Sequence, residues 1–247
     1  MDRFLYVAMT GARETQLAQS VTANNLANAT TTGFRATLAN AGHVSMQGPG
    51  HANARAYAVQ QSQGVDMTPG PLQSTGRDLD VAIDGDGWIA VMGDDGMEAY
   101  TRAGDLRVDA MGQLTTGTGR VVMGDNGPIA VPPFESMTIG SDGTISIRGL
   151  GQEAAAMAQI GRVKLVNPPL EEMQRGQDGL MRMADGQAAP ADADVNLVSG
   201  MLEGSNVNVV TSLVEMIQHA RNFEIQTKMM SQAEELDQSS SSLLRLS

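Results

Sequence analysis

From Leu79 onwards apolar residues alternate with their neighbours at a period of two, and this period predicts β-structure in the middle of the chain. The clearest run is Leu79, Val81 and Ile83, which is followed by the turn Asp84-Gly85-Asp86-Gly87. Short strands at intervals of about ten residues, separated by Gly and Asp turns, are typical of an antiparallel all-β domain. The other predicted strands are 88–92, 99–102, 106–108, 121–123, 129–131, 144–147, 162–166 and 180–183, with one or two helical turns at 154–159.

At the N-terminus the period changes to that of a helix. From Phe4 to Ala27, small and apolar residues fall on one broad helical face, while Leu17 and Val21 lie on another side. Two apolar faces favour burial among several neighbours, with an amphipathic helix packed on its own domain as the alternative. The predicted contact residues of this helix are Leu5, Ala8, Met9, Ala12, Leu17 and Val21.

The C-terminal residues predict a second long helix, which Asn208 or Thr211 could cap. Its apolar residues recur three and four positions apart, which is the spacing of a coiled coil. The pattern fades at Glu234, and the Ser run 239–242 weakens the helix before the chain ends. The predicted contact residues of this helix are Leu213, Met216, Ile217, Ala220, Phe223 and Met230.

Asn24, Asn25 and Asn28 weaken the end of the first helix, because an Asn amide competes for backbone hydrogen bonds. Gly33 can take a left-handed conformation beyond it, and the Thr run favours an extended exit. The pattern predicts a last turn that needs hydrogen-bond partners from elsewhere, with an ordinary Asn-rich helix end as the alternative. The residues of this signature turn are Asn24, Asn25, Leu26, Ala27, Asn28, Gly33 and Phe34.

Together these patterns predict an α+β fold, in which an antiparallel all-β central domain carries long N- and C-terminal helices. The two helices are expected to pair as a coiled-coil-like assembly domain, to which residues 1–36 and 205–247 belong. The central β domain takes residues 77–184. Turn-forming residues mark 37–76 as an extended connector, and Ala-, Asp- and Gly-rich sequence marks 185–204 as a linker.

The composition excludes several classes of protein. The net charge of −12 opposes unaided binding to nucleic acid or to anionic lipid, since both need a basic surface. Cysteine is absent, which excludes a thiol nucleophile and a Cys-based metal site. Aromatic residues make up only 3% of the chain, so its core must be aliphatic. No secretory signal or run of transmembrane length is visible, which by itself indicates a cytoplasmic protein.

No residue pattern indicates catalysis, a cofactor or a metal. Asp84-Gly85-Asp86-Gly87 lacks the further ligands of a calcium loop, so a hairpin turn explains it better. Gly149-Leu150-Gly151-Gln152-Glu153-Ala154 matches a dinucleotide-binding pattern, but the strand before it alternates like a half-exposed one and the helix after it is too short. We therefore expect a protein that is not an enzyme. A cell-wall- or carbohydrate-directed β-domain enzyme with helical oligomerisation ends is the alternative.

Three parts of the chain resemble the flagellar rod and hook protein family of bacteria. Ala23 to Phe34, with its Asn-Asn-Leu-Ala-Asn run, Thr-rich exit and following Arg35, resembles the family's N-terminal signature. Leu79 to Val91, followed by Tyr100-Thr101-Arg102, is similar to its central β segment. Leu202 to Asn208 and the helix after it are similar to its C-terminal signature. The three parts occur in the family's order and extend over essentially the whole chain.

The resemblance implies a structural subunit of the flagellar basal body, in the proximal rod, that polymerises through its terminal helices. That rod is the drive shaft that crosses the periplasm and transmits torque from motor to hook. The implied partners are further copies of the chain, the distal-rod and other proximal-rod subunits, and the flagellar export apparatus, which would export the chain without a cleaved signal peptide. No cofactor, nucleic acid or membrane-spanning segment is expected.

Overall fold

The computed structural model describes residues 2–39, 41–45, 56–60, 64–151 and 157–245. The chain forms two compact units. The helical unit comprises Met1–Ala29, Arg35–Thr68 and Val207–Ser247, and the β unit comprises Thr30–Phe34 and Pro69–Asn206. Each unit is therefore built from segments that are distant in the sequence.

The helical unit contains α1 (Asp2–Ala27) and α2 (Val209–Arg245), which pack against each other. Its strands are β1 (Thr37–Leu38), β2 (Ala41–Ser45), β3 (Ala56–Gln60) and β4 (Gly64–Val65), paired β1 with β4 and β2 with β3. The side-chain oxygen of Asn208 accepts a 3.1 Å hydrogen bond from the N–H of Thr211, so the predicted cap of α2 is confirmed. In the described part of the chain, neither helix is apolar enough over a sufficient length to cross a membrane.

The β unit holds the remaining described strands. They are β5 (Leu72–Ser74), β6 (Val81–Asp84), β7 (Trp88–Met92), β8 (Glu98–Thr101), β9 (Leu106–Val108), β10 (Leu114–Thr116), β11 (Met123–Gly124), β12 (Gly127–Pro128), β13 (Phe134–Ile139), β14 (Thr144–Gly149), β15 (Ala158–Arg162), β16 (Leu165–Val166), β17 (Met173–Arg175), β18 (Met181–Met183), β19 (Asn196–Ser199) and β20 (Met201–Glu203). A short 3-10 turn, Leu170–Glu172, precedes β17.

Antiparallel pairing dominates the β unit. The largest sheet has the order β16-β7-β8-β18-β17, and a second has the order β13-β14-β15. Two-stranded pairs complete the unit: β5 with β20, β6 with β19, β9 with β10, and β11 with β12. The predicted α+β class, with a central antiparallel β region between two helices, is confirmed. A coiled-coil-like pairing of the helices stays a prediction.

The core of the β unit is aliphatic, as its low aromatic content requires. On β14, Ile145 and Ile147 are buried and alternate with half-buried residues, which shows the expected period of two. Trp88 is also buried. The core residues include Val81, Ile83, Ile89, Val91, Leu106, Leu114, Val122, Met137, Ile139, Val163, Leu165, Val195 and Leu197.

Several predicted boundaries differ from the observed elements. The predicted strand 129–131 is not a strand, although Ile129 and Val131 are buried and each bonds to a neighbouring segment through its backbone. Strand β13 was missed. Of the predicted helical turns at 154–159, residues 154–156 lie outside the described residues, and β15 begins at Ala158. The nucleotide-binding pattern 149–154 also ends outside the described residues.

Strands also occur in the two segments that were predicted to be irregular. The described part of connector 37–76 contains β1 to β5, and linker 185–204 contains β19 and β20. All of these strands are short. β19 and β20 pair with strands far away in the sequence, β6 and β5, whereas β1 pairs with β4 and β2 with β3 inside the connector. The division of the chain into five predicted domains remains a prediction.

Candidate functional site

The seam between α1 and α2 is built from small and polar side chains. The hydroxyl of Thr15 donates a 3.2 Å hydrogen bond to Oε1 of Gln226. At Gly11, an added Cβ would lie 2.9 Å from Nε2 of the same Gln226, so a glycine allows close approach here. Among the described side chains of the two helices, the buried ones are Ala8, Ala12, Val21, Thr22, Ser212 and Ala233. Because most of these side chains are small, the described parts of the helices bury little apolar surface.

Many large apolar side chains of the helices instead face solvent in the single chain. On α1 they are Leu5, Tyr6, Val7 and Met9, and on α2 they are Val209, Val210, Leu213, Val214, Ile217, Phe223, Ile225 and Leu236. Val210 is 72% exposed and Ile217 is 55% exposed. A concentration of exposed apolar residues marks a protein interaction site.

The structure divides the predicted contact residues between the seam and the solvent. Ala8, Ala12 and Val21 are buried; Leu17, Met216 and Met230 are half-buried; and Leu5, Met9, Leu213, Ile217, Ala220 and Phe223 are exposed. A prediction based on apolar residues does not include the polar side chains that are buried on the helices or bonded between them, such as Ser212 and Gln226. A sequence pattern could have indicated these positions, because Ser212, Gln226 and Ala233 are separated by multiples of seven residues, the heptad spacing of packed helices. The role of the predicted residues in assembly remains a prediction.

Asn25 finds its hydrogen-bond partners in β1. Its side-chain amide donates a 2.8 Å hydrogen bond to the carbonyl of Thr37, and its side-chain oxygen accepts one of 2.8 Å from the N–H of Thr37. Asn28 donates from its side chain to the carbonyl of Asn24 at 2.9 Å. The amide of Asn25 therefore bonds as a strand backbone would, which explains how an Asn-rich helix end is stabilised.

Gly33 and Phe34 are held within the β unit. Gly33 has a φ of 66°, so its predicted left-handed conformation is confirmed, although α1 already ends at Ala27. Its N–H donates a 2.8 Å hydrogen bond to the carbonyl of Glu203. The guanidinium of Arg175 lies 4.6 Å from the centre of the Phe34 ring, and burial lowers the pKa of this arginine.

A buried ion pair lies beside Gly33. Nη1 of Arg102 is 3.1 Å from Oε2 of Glu203. The other carboxylate oxygen of Glu203 accepts a 3.0 Å hydrogen bond from the N–H of Gly70. Arg102 also lies 5.4 Å from the centre of the Trp88 ring. We refer to Gly33, Gly70, Arg102 and Glu203 as the anchor cluster.

Arg102 and Glu203 were not predicted as site residues. Both occur in the segments that carry the family resemblance, Arg102 after Tyr100-Thr101 and Glu203 before Gly204. The available signal was a single charged residue in each of the short runs Tyr100-Thr101-Arg102 and Leu202 to Asn208. Their pairing could not be predicted from local sequence, because the two residues are 101 positions apart in the chain.

A second charged pair, which is partly buried, shows how the carboxylates of the β unit are used. Nζ of Lys164 lies 2.8 Å from both carboxylate oxygens of Glu98, which also accepts a 3.0 Å hydrogen bond from the hydroxyl of Tyr100. That hydroxyl in turn accepts from the N–H of Ala189. Burial raises the pKa of Tyr100 to about 12. Each of these polar groups has a hydrogen-bond or ion-pair partner, so the arrangement is suited to stabilising the fold.

Among the described residues, no cluster of side chains has the composition of a metal site.

Comparison with known proteins places these features in a family. The profile of "Flagella basal body rod protein" matches residues 5–35, that of "Flagellar hook protein FlgE/F/G D1 domain" matches 82–147, and that of "Flagellar basal body rod FlgEFG protein C-terminal" matches 198–243. The chain is 44% identical to the flagellar basal-body rod protein FlgF of Escherichia coli, over 100% of both chains. The chain belongs to the flagellar basal-body rod protein family. The FlgF protein of Salmonella typhimurium is also 44% identical, and the rod protein FlgG of Bacillus subtilis is 34% identical over 96% of this chain and 97% of its own.

The family confirms the resemblance drawn from the sequence and the prediction of a structural rod subunit. Each of the three matched regions of the chain contains one member of the anchor cluster. Gly33 lies in 5–35, Arg102 in 82–147 and Glu203 in 198–243. The cluster thus joins the three matched parts of the chain at one place in the β unit.

Proposed function

We propose that the chain is a subunit of the proximal rod of the flagellar basal body, that it is not an enzyme, and that it polymerises through α1 and α2. The observation that supports polymerisation is the large number of apolar side chains that both helices expose in the single chain. A contact between unlike surfaces that does not close into a ring produces a helical filament. Copies of the chain and other rod proteins, among them FlgG, would cover these side chains.

The family supports the rest of the proposal. A rod built in this way would be the drive shaft that transmits torque from motor to hook, within the basal body. Export by the flagellar export apparatus rests on the family alone. The alternative of a carbohydrate- or cell-wall-directed enzyme is less well supported, because the family is structural and the partly buried Glu98 is already paired with Lys164.

Assembly is tested by placing a charge on α2. Ile217→Asp changes a side chain that is 55% exposed, so it should leave the fold intact and block co-assembly with a purified FlgG-type rod subunit. Sedimentation of the mixture measures assembly, and motility of cells that carry only the variant measures its consequence. Met111→Asp is the matched control, since Met111 is 87% exposed but lies in the β unit. We expect Met111→Asp to assemble, whereas normal assembly of Ile217→Asp would refute the role of α2.

A further inference from the structure

Glu203 holds three segments of the β unit through different atoms. Its backbone carbonyl accepts from Gly33, one carboxylate oxygen accepts from Gly70, and the other pairs with Arg102. Glu203 is 1% exposed and Arg102 is 5% exposed, so solvent does not compete for these bonds. One buried residue thereby links the segment 30–34, the segment around Gly70, and the segment that leads towards α2.

Close backbone contacts accompany these bonds. A Cβ added at Gly33 would overlap the backbone of Arg102 and Ala103, and one added at Gly70 would overlap the carbonyl of Gly204. The N–H of Gly204 donates a 2.9 Å hydrogen bond to the carbonyl of Pro71. The cluster therefore leaves no room for side chains at these two glycines, and the three segments lie against each other through their backbones.

The segments of the anchor cluster lie next to the positions at which the chain passes between its two units. The chain leaves or enters the β unit at 29/30, 34/35, 68/69 and 206/207. Each of these crossings adjoins a segment that Glu203 holds. The segments that Glu203 holds are therefore neighbours in sequence of the points at which the chain enters and leaves the β unit.

We propose that the Arg102–Glu203 pair is a latch that fixes the segments 30–34 and 69–71 on the β unit, separately from the folding of its core. The aliphatic core contains neither residue, since it is made of side chains such as Val81, Ile89 and Leu165. Removing the charge of Glu203 takes the counter-charge away from the buried guanidinium of Arg102, and this favours a local opening that admits water. The latch is a property of the single chain and does not depend on rod assembly.

The test is amide hydrogen exchange of the full-length monomer, wild type against Glu203→Gln. The substitution keeps the shape of the side chain and removes its charge. We expect peptides that contain Gly33 and Gly70 to exchange about tenfold faster or more. The N–H of Gly70 loses its bond to a charged carboxylate, and the buried Arg102, against whose backbone Gly33 lies, loses its counter-charge. Peptides from β7 and β14 should exchange as in the wild type. Arg102→Lys keeps the charge but shortens the donor, so it should accelerate the same two segments to a smaller extent.

Glu98→Gln is the matched control. Glu98 is another paired glutamate of the β unit, with Lys164 at 2.8 Å and a side chain that is 12% exposed, but among the described residues none of its bonds involves residues 30–34 or 69–71. We expect Glu98→Gln to leave the exchange of Gly33 and Gly70 unchanged. Three results would overturn the latch: unchanged exchange at both glycines in Glu203→Gln, equal acceleration of β7 and β14, which would make the pair part of the global fold, or the same effect from Glu98→Gln.

Discussion

Gly33 satisfies two independent demands that other residues cannot meet. Its φ of 66° costs an L-residue about 1–2 kcal/mol, and an added Cβ would also overlap the backbone of Arg102. Gly33→Ala should therefore reduce the free energy of unfolding by more than that conformational cost alone. Urea unfolding followed by the fluorescence of Trp88, which is buried in the same unit, measures the change.

Gly76 provides the control for this substitution. It has nearly the same φ, 68°, but a Cβ added there would meet nothing within 4 Å. Gly76→Ala should lower the stability by the conformational cost of about 1–2 kcal/mol and no more. Equal losses for the two variants would show that the backbone of Arg102 moves aside at no cost, and the steric part of the argument would be wrong.

Local chemistry made parts of this site predictable at the residue scale. The left-handed Gly33 follows from a glycine after a Thr run, and the Asn208 cap follows from the preference of helix N-termini for Asn. The partners of Gly33 were not predictable, because Arg102 and Glu203 are distant in the sequence. Nothing in the neighbourhood of either charged residue indicates which opposite charge it will meet.

The same division holds for the strands of the β unit. Strand β6 was predicted from the alternation of Val81 and Ile83, since a strand with buried residues shows its period locally. Strand β19, its antiparallel partner, lies in a segment that reads as a linker because Ala, Asp and Gly surround it. Yet Val195 and Leu197 from this segment are buried in the core. The composition of this segment therefore did not predict β19, which is stabilised by its pairing with β6.

Two fragments test how far the folded β unit extends. A fragment of residues 69–206 keeps β5, β19 and β20, whereas a fragment of residues 77–184 loses all three and leaves β6 without its antiparallel partner. We expect the longer fragment to unfold cooperatively with a protected Trp88, and the shorter one to show red-shifted Trp88 emission and no cooperative transition. If the shorter fragment were as stable as the longer one, the contribution of residues 185–206 to the core would be negligible.

The two units of the molecule differ in what stabilises them within one chain. The β unit has an aliphatic core of buried Val, Ile and Leu side chains. The described residues that are buried or bonded on the helices are mostly Ala, Gly, Thr, Ser and Gln, while many larger apolar side chains are exposed. Ordering a residue costs about 1–2 kcal/mol of backbone entropy, which burial of apolar area must offset. We therefore expect the helical unit to depend on neighbours for stability more than the β unit does.

This difference predicts that α1 and α2 open readily in the free monomer and become stable only on assembly. Hydrogen exchange in the free chain should be near random-coil rates for residues 4–28 and 209–236, while the strands from Val81 to Val166 are protected. In assembled material the same helical residues should become protected, because neighbouring chains bury Val210, Ile217 and the other exposed side chains. Such folding on assembly would also limit premature polymerisation. The strands serve as the internal reference for both samples, and a monomer verified by sedimentation is essential. Strong protection of both helices in that monomer would show that the small-residue seam is sufficient by itself, and the proposed coupling of folding to assembly would have to be abandoned.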